Sequence, residues 1–195
     1  GIEIKVNNIE EEKILSSIPN VPHLDVPVGK DENDNIEIEK KGEIPKFDFK
    51  PKSHIELGEK LNMLDFDLAT KTTGSRFVFV KDKLAYLERA ISNFMLDTHI
   101  NKNGYKEISP PLLASENTMF GTGQLPKFEE DQFEVKLDEG SDRKFLIPTA
   151  EVILTNMVKD KIIELKSLPM RFVASTPCFR KEAGSYGKDT KGMIR

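Results

Sequence analysis

Arg180, Glu182 and Arg195 are the residues of this sequence best suited to chemistry on phosphate. Met170 to Ser175 is apolar, with β-branched and aromatic character, and Cys178 and Phe179 prolong it, which suits a strand. Arg180, Lys181 and Glu182 stand together at its far end. A polar loop with Gly184, Gly187 and Gly192 follows, and Met193 and Ile194 begin a second apolar segment that leads to Arg195. The pattern predicts a strand, a long loop and a returning antiparallel strand. Such a hairpin places Arg180 and Arg195 at its base and carries Lys188 and Lys191 outward. Two guanidiniums on rigid strands suit a polyphosphate, because the planar fork binds oxygens in pairs and never deprotonates.

A second constellation is Thr149-Ala150-Glu151, placed where an alternating segment gives way to a helical one, Val152 to Lys159. Read locally, Thr149 is expected to N-cap that helix, with Glu151 favourable near the positive end of its dipole. The three histidines, His23, His54 and His99, lack ligand spacing, and the single cysteine, Cys178, excludes an internal disulfide or a Cys-rich metal site. No metal-binding residue is expected in this chain.

These groups need elements to hold them. Asp82 to Ile100 is the best helix in the sequence: Leu84, Leu87, Ile91, Phe94 and Met95 form an apolar stripe, and Gly104 is placed to cap its end. Tyr105 to Ser109 then reads as a strand closed by Pro110 and Pro111. Gln132 to Leu137 and Lys144 to Ile147 alternate as two strands across the polar turn Asp138 to Arg143. His54 to Leu64 reads as a short helix, Asp65 to Gly74 as turn and loop, and Arg76 to Val80 as a short strand. The Gly121-Thr122-Gly123 segment has no strand, turn and helix around it, so it is not a dinucleotide loop. Upstream, Gly1 to Ser17 is lightly helical and Ile18-Pro19 ends it. Lys30 to Glu43 is a charged run that reads as a solvated linker.

The 195 residues suffice for one sizeable domain and an appendage, and 37% hydrophobic residues support a core. No run of about eighteen apolar residues occurs, so no membrane segment is expected. A net charge of −4 excludes a surface that attracts nucleic acid everywhere, and any RNA contact must be local. No secretory leader is visible, and cytoplasm is the expected compartment. The chain opens on Gly1 and stops at Arg195 as a strand begins, which suggests part of a longer protein.

The Phe-Arg-x-Glu at Phe179 to Glu182, the glycine-bearing loop and the closing Arg195 resemble the second signature motif of class II aminoacyl-tRNA synthetases. The fuller string from Cys178 to Arg195 resembles the seryl-tRNA synthetases in particular. Ile18 to Asn35, the Gly121 to Phe128 string and Thr149-Ala150-Glu151 resemble the same family, while Lys191 stands where many relatives carry arginine. The resemblance implies an α+β fold with a class II antiparallel sheet flanked by helices, incomplete in this chain. Residues 1–17 would end an N-terminal helical, tRNA-binding arm that is mostly missing. Residues 18–50 would be a linker, and 51–195 the N-terminal part of the catalytic domain.

Also by resemblance, the activity is serine–tRNA ligation: serine and ATP give seryl-adenylate, and the seryl group passes to tRNA(Ser), and to tRNA(Sec) with it. Arg180 would bridge the α-phosphate and the serine carboxylate. Lys181, Glu182 and Arg195 would bind ATP with Arg180, while Thr149, Ala150 and Glu151 would bind serine. Lys188 and Lys191, with Ser185 and Tyr186, would meet the tRNA acceptor end. The long helix, the strand and Pro110-Pro111 resemble the first motif, a homodimer interface. The ligands of ATP-associated Mg2+, the adenine-stacking aromatic, a glutamate for the serine ammonium and the third motif are expected beyond Arg195. Two readings compete: a synthetase-like paralogue that binds ATP or amino acid without catalysis, and a class II synthetase for another small amino acid such as threonine. A threonyl enzyme of this class would hold zinc through Cys and His, and Thr-Ala-Glu favours serine.

Overall fold

The structure, a computed structural model, describes residues 10–12, 14–74, 77–136, 140 and 142–181. Residues 1–52 and 53–195 form two compact units. In the first, residues 14–17 are helical and the helix ends where the Ile18 N–H bonds the Leu15 carbonyl. Every residue from Ile18 to Lys50 is exposed, large apolar side chains such as Val21, Leu24, Val28 and Ile38 included. A 3-10 turn, Glu32–Asp34, is capped by the Asp31 carboxylate, which accepts from the Asn33 N–H.

The second unit opens with helix α1, His54–Lys60, shorter than the expected His54 to Leu64 because Leu64 belongs to the strand that follows. Its capping box is complete: Ser53 Oγ accepts from the Glu56 N–H and the Glu56 side chain accepts from the Ser53 N–H. Strand β1, Leu64–Asp65, pairs antiparallel with β2, Phe79–Val80. Between them lies helix α2, Phe66–Thr72, where the sequence reading placed turn and loop. The physical reason is local. Asp65 Oδ1 accepts from the Leu68 N–H at 2.9 Å and starts the helix, while Ala69 is buried and anchors it.

Helix α3, Asp82–Asn103, is the predicted long helix, closed by Gly104 at φ 67°, whose N–H bonds the His99 carbonyl. No residue of α3 is buried: Leu87, Ile91, Phe94 and Met95 of its apolar stripe are exposed and Leu84 is half-buried. The predicted Tyr105–Ser109 strand is short: β3, Lys106–Glu107, lies parallel to β7, Phe172–Val173. Pro110 is partly buried and Pro111 exposed in the link from β3 to the next strand.

That strand, β4, Leu113–Ser115, begins the sheet that positions the site. It pairs antiparallel with β6, Lys144–Leu146, and β6 pairs antiparallel with β5, Glu134–Val135. The two strands predicted around the Asp138 to Arg143 turn are therefore β5 and β6. Helix α4, Glu116–Gly121, N-capped by Ser115, and helix α5, Glu151–Asn156, pack together beside them. Ala114, Met119, Leu125, Phe145, Ile147 and Val152 form the core. Each large side chain fully removed from water there contributes about 1.5–3 kcal/mol. Gly121 and Gly123 close α4 rather than open a helix, which agrees with rejecting a dinucleotide loop.

Candidate functional site

A cleft lies between the segment that leads into β5 and the segment that follows β6. After β6 the chain passes through Ile147, Pro148 and Thr149 before entering α5. The Cys178 to Lys181 segment returns alongside. The Phe179 N–H donates to the Ile147 carbonyl at 2.9 Å and the Lys181 N–H to the Asp131 carbonyl at 3.1 Å. Arg180 lies between these two ties, and its Nε–H donates to the Pro148 carbonyl at 3.1 Å. That bond uses Nε alone, and the two terminal NH2 groups have no partner among the described residues. The stem is fixed and the fork remains available, which is what bidentate binding of an oxyanion requires.

The cleft beside Arg180 has a volume of about 1090 Å³. Pro148 and Thr149 line it with Arg180, and the other wall runs from Gln124 and Pro126 to Gln132. This wall is the continuation of the Gly121 to Phe128 string, folded back by the 3-10 turn Glu129–Asp131. Its buried hinge is Leu125, and the Phe128 N–H bonds the Gln124 carbonyl.

Arg143 braces the wall from behind. Its guanidinium meets Glu134 through Nε at 2.8 Å, Glu116 through Nη1 at 2.8 Å and Glu129 through Nη2, and it lies 4.9 Å over the Phe145 ring. Hydrogen bonds to Glu134 and Glu129 push the already high pKa of Arg143 higher, and the bond from Arg143 holds the Glu134 carboxyl below its ordinary value. One cation thereby ties α4, β5 and the turn that carries Glu129. The sequence reading took Arg143 as a turn residue and missed this role.

Gln132, read as the start of a strand, is buried and lines the cleft. Its Oε1 is buried without a hydrogen-bond partner among the described residues. An acceptor left so costs about 1–3 kcal/mol.

Of the residues singled out in the sequence, Thr149 and Arg180 share the cleft. Ala150 and Glu151 line a second, largely apolar cavity of about 580 Å³ with Leu154, Met170 and Phe172. The expected N-cap by Thr149 is not formed: the cap position is Ala150, without a side-chain bond. Residues 149 and 150 bond forward into α5 through their carbonyls instead. The Thr149 hydroxyl, unused as a cap, has no partner among the described residues. Lys181 is exposed and fixed through its backbone. Glu182, Ser185, Tyr186, Lys188, Lys191 and Arg195 lie outside the described residues, as do the loop and returning strand of the predicted hairpin.

Residues 132–195 match the family model described as the tRNA synthetase class II core domain (G, H, P, S and T). Strands β5 and β6, helix α5 and the Phe179-Arg180 segment fall within the residues that match this class II synthetase core, while β4 and α4 precede them. Serine–tRNA ligase of Pelagibacter ubique is 76% identical over the whole chain, and that of Caldanaerobacter subterraneus is 57% identical over 94% of it. The crystal structure of seryl-tRNA synthetase from Pyrococcus horikoshii complexed with ATP superposes with a TM-score of 0.83 at 37% identity, covering 99% of the chain and 47% of that protein. Along its whole length the chain is similar to seryl-tRNA synthetases. It spans about half the length of the curated relatives it matches, 48% and 42% of the two named.

Proposed function

We propose that this chain is part of a serine–tRNA ligase and supplies the anchored arginine and one wall of its activation site. The observation that carries this is Arg180, fastened at Nε to the Pro148 carbonyl beside Thr149, in a chain similar to seryl-tRNA synthetases along its whole length. Domain assignments follow: 1–17 the end of a helical arm, 18–50 a linker, 51–195 the first part of the catalytic domain.

In the first step a serine carboxylate oxygen attacks the α-phosphorus of ATP. The P–O bond to the leaving group breaks, giving seryl-adenylate and pyrophosphate. In the second, the terminal adenosine hydroxyl of tRNA(Ser), or of tRNA(Sec), attacks the activated carbonyl, gives up its proton and releases AMP. No side-chain nucleophile takes part. The protein holds two anionic reactants in line and offsets the charge that gathers on phosphorus. The terminal NH2 groups of Arg180 span the carboxylate and the α-phosphate, a task for a rigid fork. The Thr149 hydroxyl offers serine a polar partner, and a site built on such partners rejects analogues that lack the hydroxyl. Lys181, Glu182 and Arg195 serve ATP, Ala150 and Glu151 border the serine side, and Lys188 and Lys191 receive the acceptor end.

Mg2+ would accompany the ATP. Among the described residues no group of three or more His, Cys, Asp or Glu is arranged to hold a metal. The α3 stripe and Pro110-Pro111 are proposed as the homodimer interface, and the cytoplasm as the compartment. No helix among the described residues is long and apolar enough to cross a membrane. Aminoacylation of tRNA(Ser) with labelled serine by the full-length protein tests the proposal. Accumulation of seryl-tRNA supports it, and no charging of any tRNA by an enzyme that binds ATP favours the non-catalytic paralogue.

A further inference from the structure

Gln132 is 4% exposed and lines the cleft opposite Pro148 and Thr149. Its amide is oriented by one bond: Nε2 donates to the Phe128 carbonyl at 3.0 Å. Turned over, the amide would set oxygen against oxygen, so Oε1 is the atom left over. It is buried and has no hydrogen-bond partner among the described residues. Buried acceptors are almost always satisfied by protein, water or ligand. The Asp131 carbonyl accepts from the Lys181 N–H at 3.1 Å, so Gln132 and Arg180 each stand one residue from the same backbone tie. The adjoining wall carries Glu129, Glu130 and Asp131, a setting that favours a donor over a further acceptor.

We propose that Gln132 Oε1 is a binding contact of the cleft, accepting a hydrogen bond from an N–H or O–H group of the small molecule seated on Arg180. The donor is the ammonium or hydroxyl of the amino acid, or an amine or hydroxyl of the nucleotide. This rests on the activation reaction proposed above and adds a specificity contact on the wall facing Thr149.

The test uses the full-length enzyme and two variants, Gln132→Met and Gln132→Glu, in serine-dependent ATP–pyrophosphate exchange, with KM measured separately for serine and ATP. Both variants lose the donor to the Phe128 carbonyl, and only Gln132→Glu keeps an acceptor oxygen. Assays are run well below each variant's melting temperature, so that lost fold does not pass for lost contact. The expected result is a KM raised roughly tenfold in Gln132→Met for one substrate, with kcat little changed, and a much smaller rise in Gln132→Glu. A shift in KM for serine assigns the donor to the amino acid, and one in KM for ATP assigns it to the nucleotide. Equal damage in both variants reduces Gln132 to a prop for the Phe128 carbonyl and overturns the proposal. Unchanged KM values in Gln132→Met mean that the oxygen holds only water, and also overturn it. A wild-type enzyme without serine-dependent exchange removes the underlying activity and the proposal together.

Discussion

Arg180→Lys separates charge from geometry at the centre of the site. The wild-type guanidinium spends Nε on the Pro148 carbonyl at 3.1 Å and keeps two NH2 groups for ligand. An ammonium retains the charge but is a single point. It either bonds the Pro148 carbonyl or meets the oxyanions, and it spans two oxygens in one plane in neither case. Each charged hydrogen bond given up is worth about 1.5–3 kcal/mol, so the lysine variant should lose roughly 10- to 150-fold in kcat/KM for ATP–pyrophosphate exchange. Arg180→Ala removes the charge as well, and its loss should be on the order of a thousandfold or more. Neither change touches the core of Phe145, Met119, Ile147 and Val152, so melting temperatures should stay within about 2 °C of wild type. A lysine variant at wild-type rate would refute the fork argument. An active alanine variant would refute the role of Arg180 altogether.

Asp65 tests the cap that the sequence reading missed. The Leu68 N–H, and then the Lys81 ammonium 2.9 Å away, hold its carboxyl below the ordinary 3.8. A depressed folded-state pKa contributes stability that is present above the unfolded value and is lost as pH falls through the folded one. Amide protection in α2 should therefore hold from neutral pH down to about the ordinary carboxylate range and drop below it. At pH 7, Asp65→Ala should expose α2 amides to exchange while Asp65→Asn, a competent cap, exposes them less; equal protection in all three proteins would contradict the assignment. Phe145→Ala should destabilise by about 3–5 kcal/mol, because the ring is fully buried, lies under Arg143 and leaves a cavity in the core. Urea unfolding measures this, and a cost below about 1 kcal/mol would mean that the ring is not the keystone of that sheet.

Legibility in the sequence followed the range of the interactions. Helix α3 was readable because 22 residues repeat one stripe and a glycine at φ 67° ends it. Helix α2 was not, because seven residues give less than two turns of pattern, and its cap, an aspartate before a short polar segment, is also turn chemistry. Thr149 was expected to cap α5 from composition alone, whereas the helix begins one residue later and leaves the hydroxyl to the cleft. Arg143 escaped because its partners Glu134, Glu129 and Glu116 lie 9, 14 and 27 residues away, and no spacing rule reaches that far. Gln132 fits the alternation of β5, and only burial shows that its oxygen has no partner. Arg180 was legible through its neighbours in the chain, but the Pro148 carbonyl that holds it was not.

The central claim is that the cleft between Arg180, Thr149 and the Gln124 to Gln132 wall activates serine. Amino-acid-dependent ATP–pyrophosphate exchange by the full-length protein, with serine, threonine, alanine and proline in parallel, tests it most directly. Exchange that depends on serine and is at least a hundredfold weaker with the other three is the predicted result. Exchange driven better by threonine, alanine or proline, or none with any of the four despite measurable ATP binding, would contradict it.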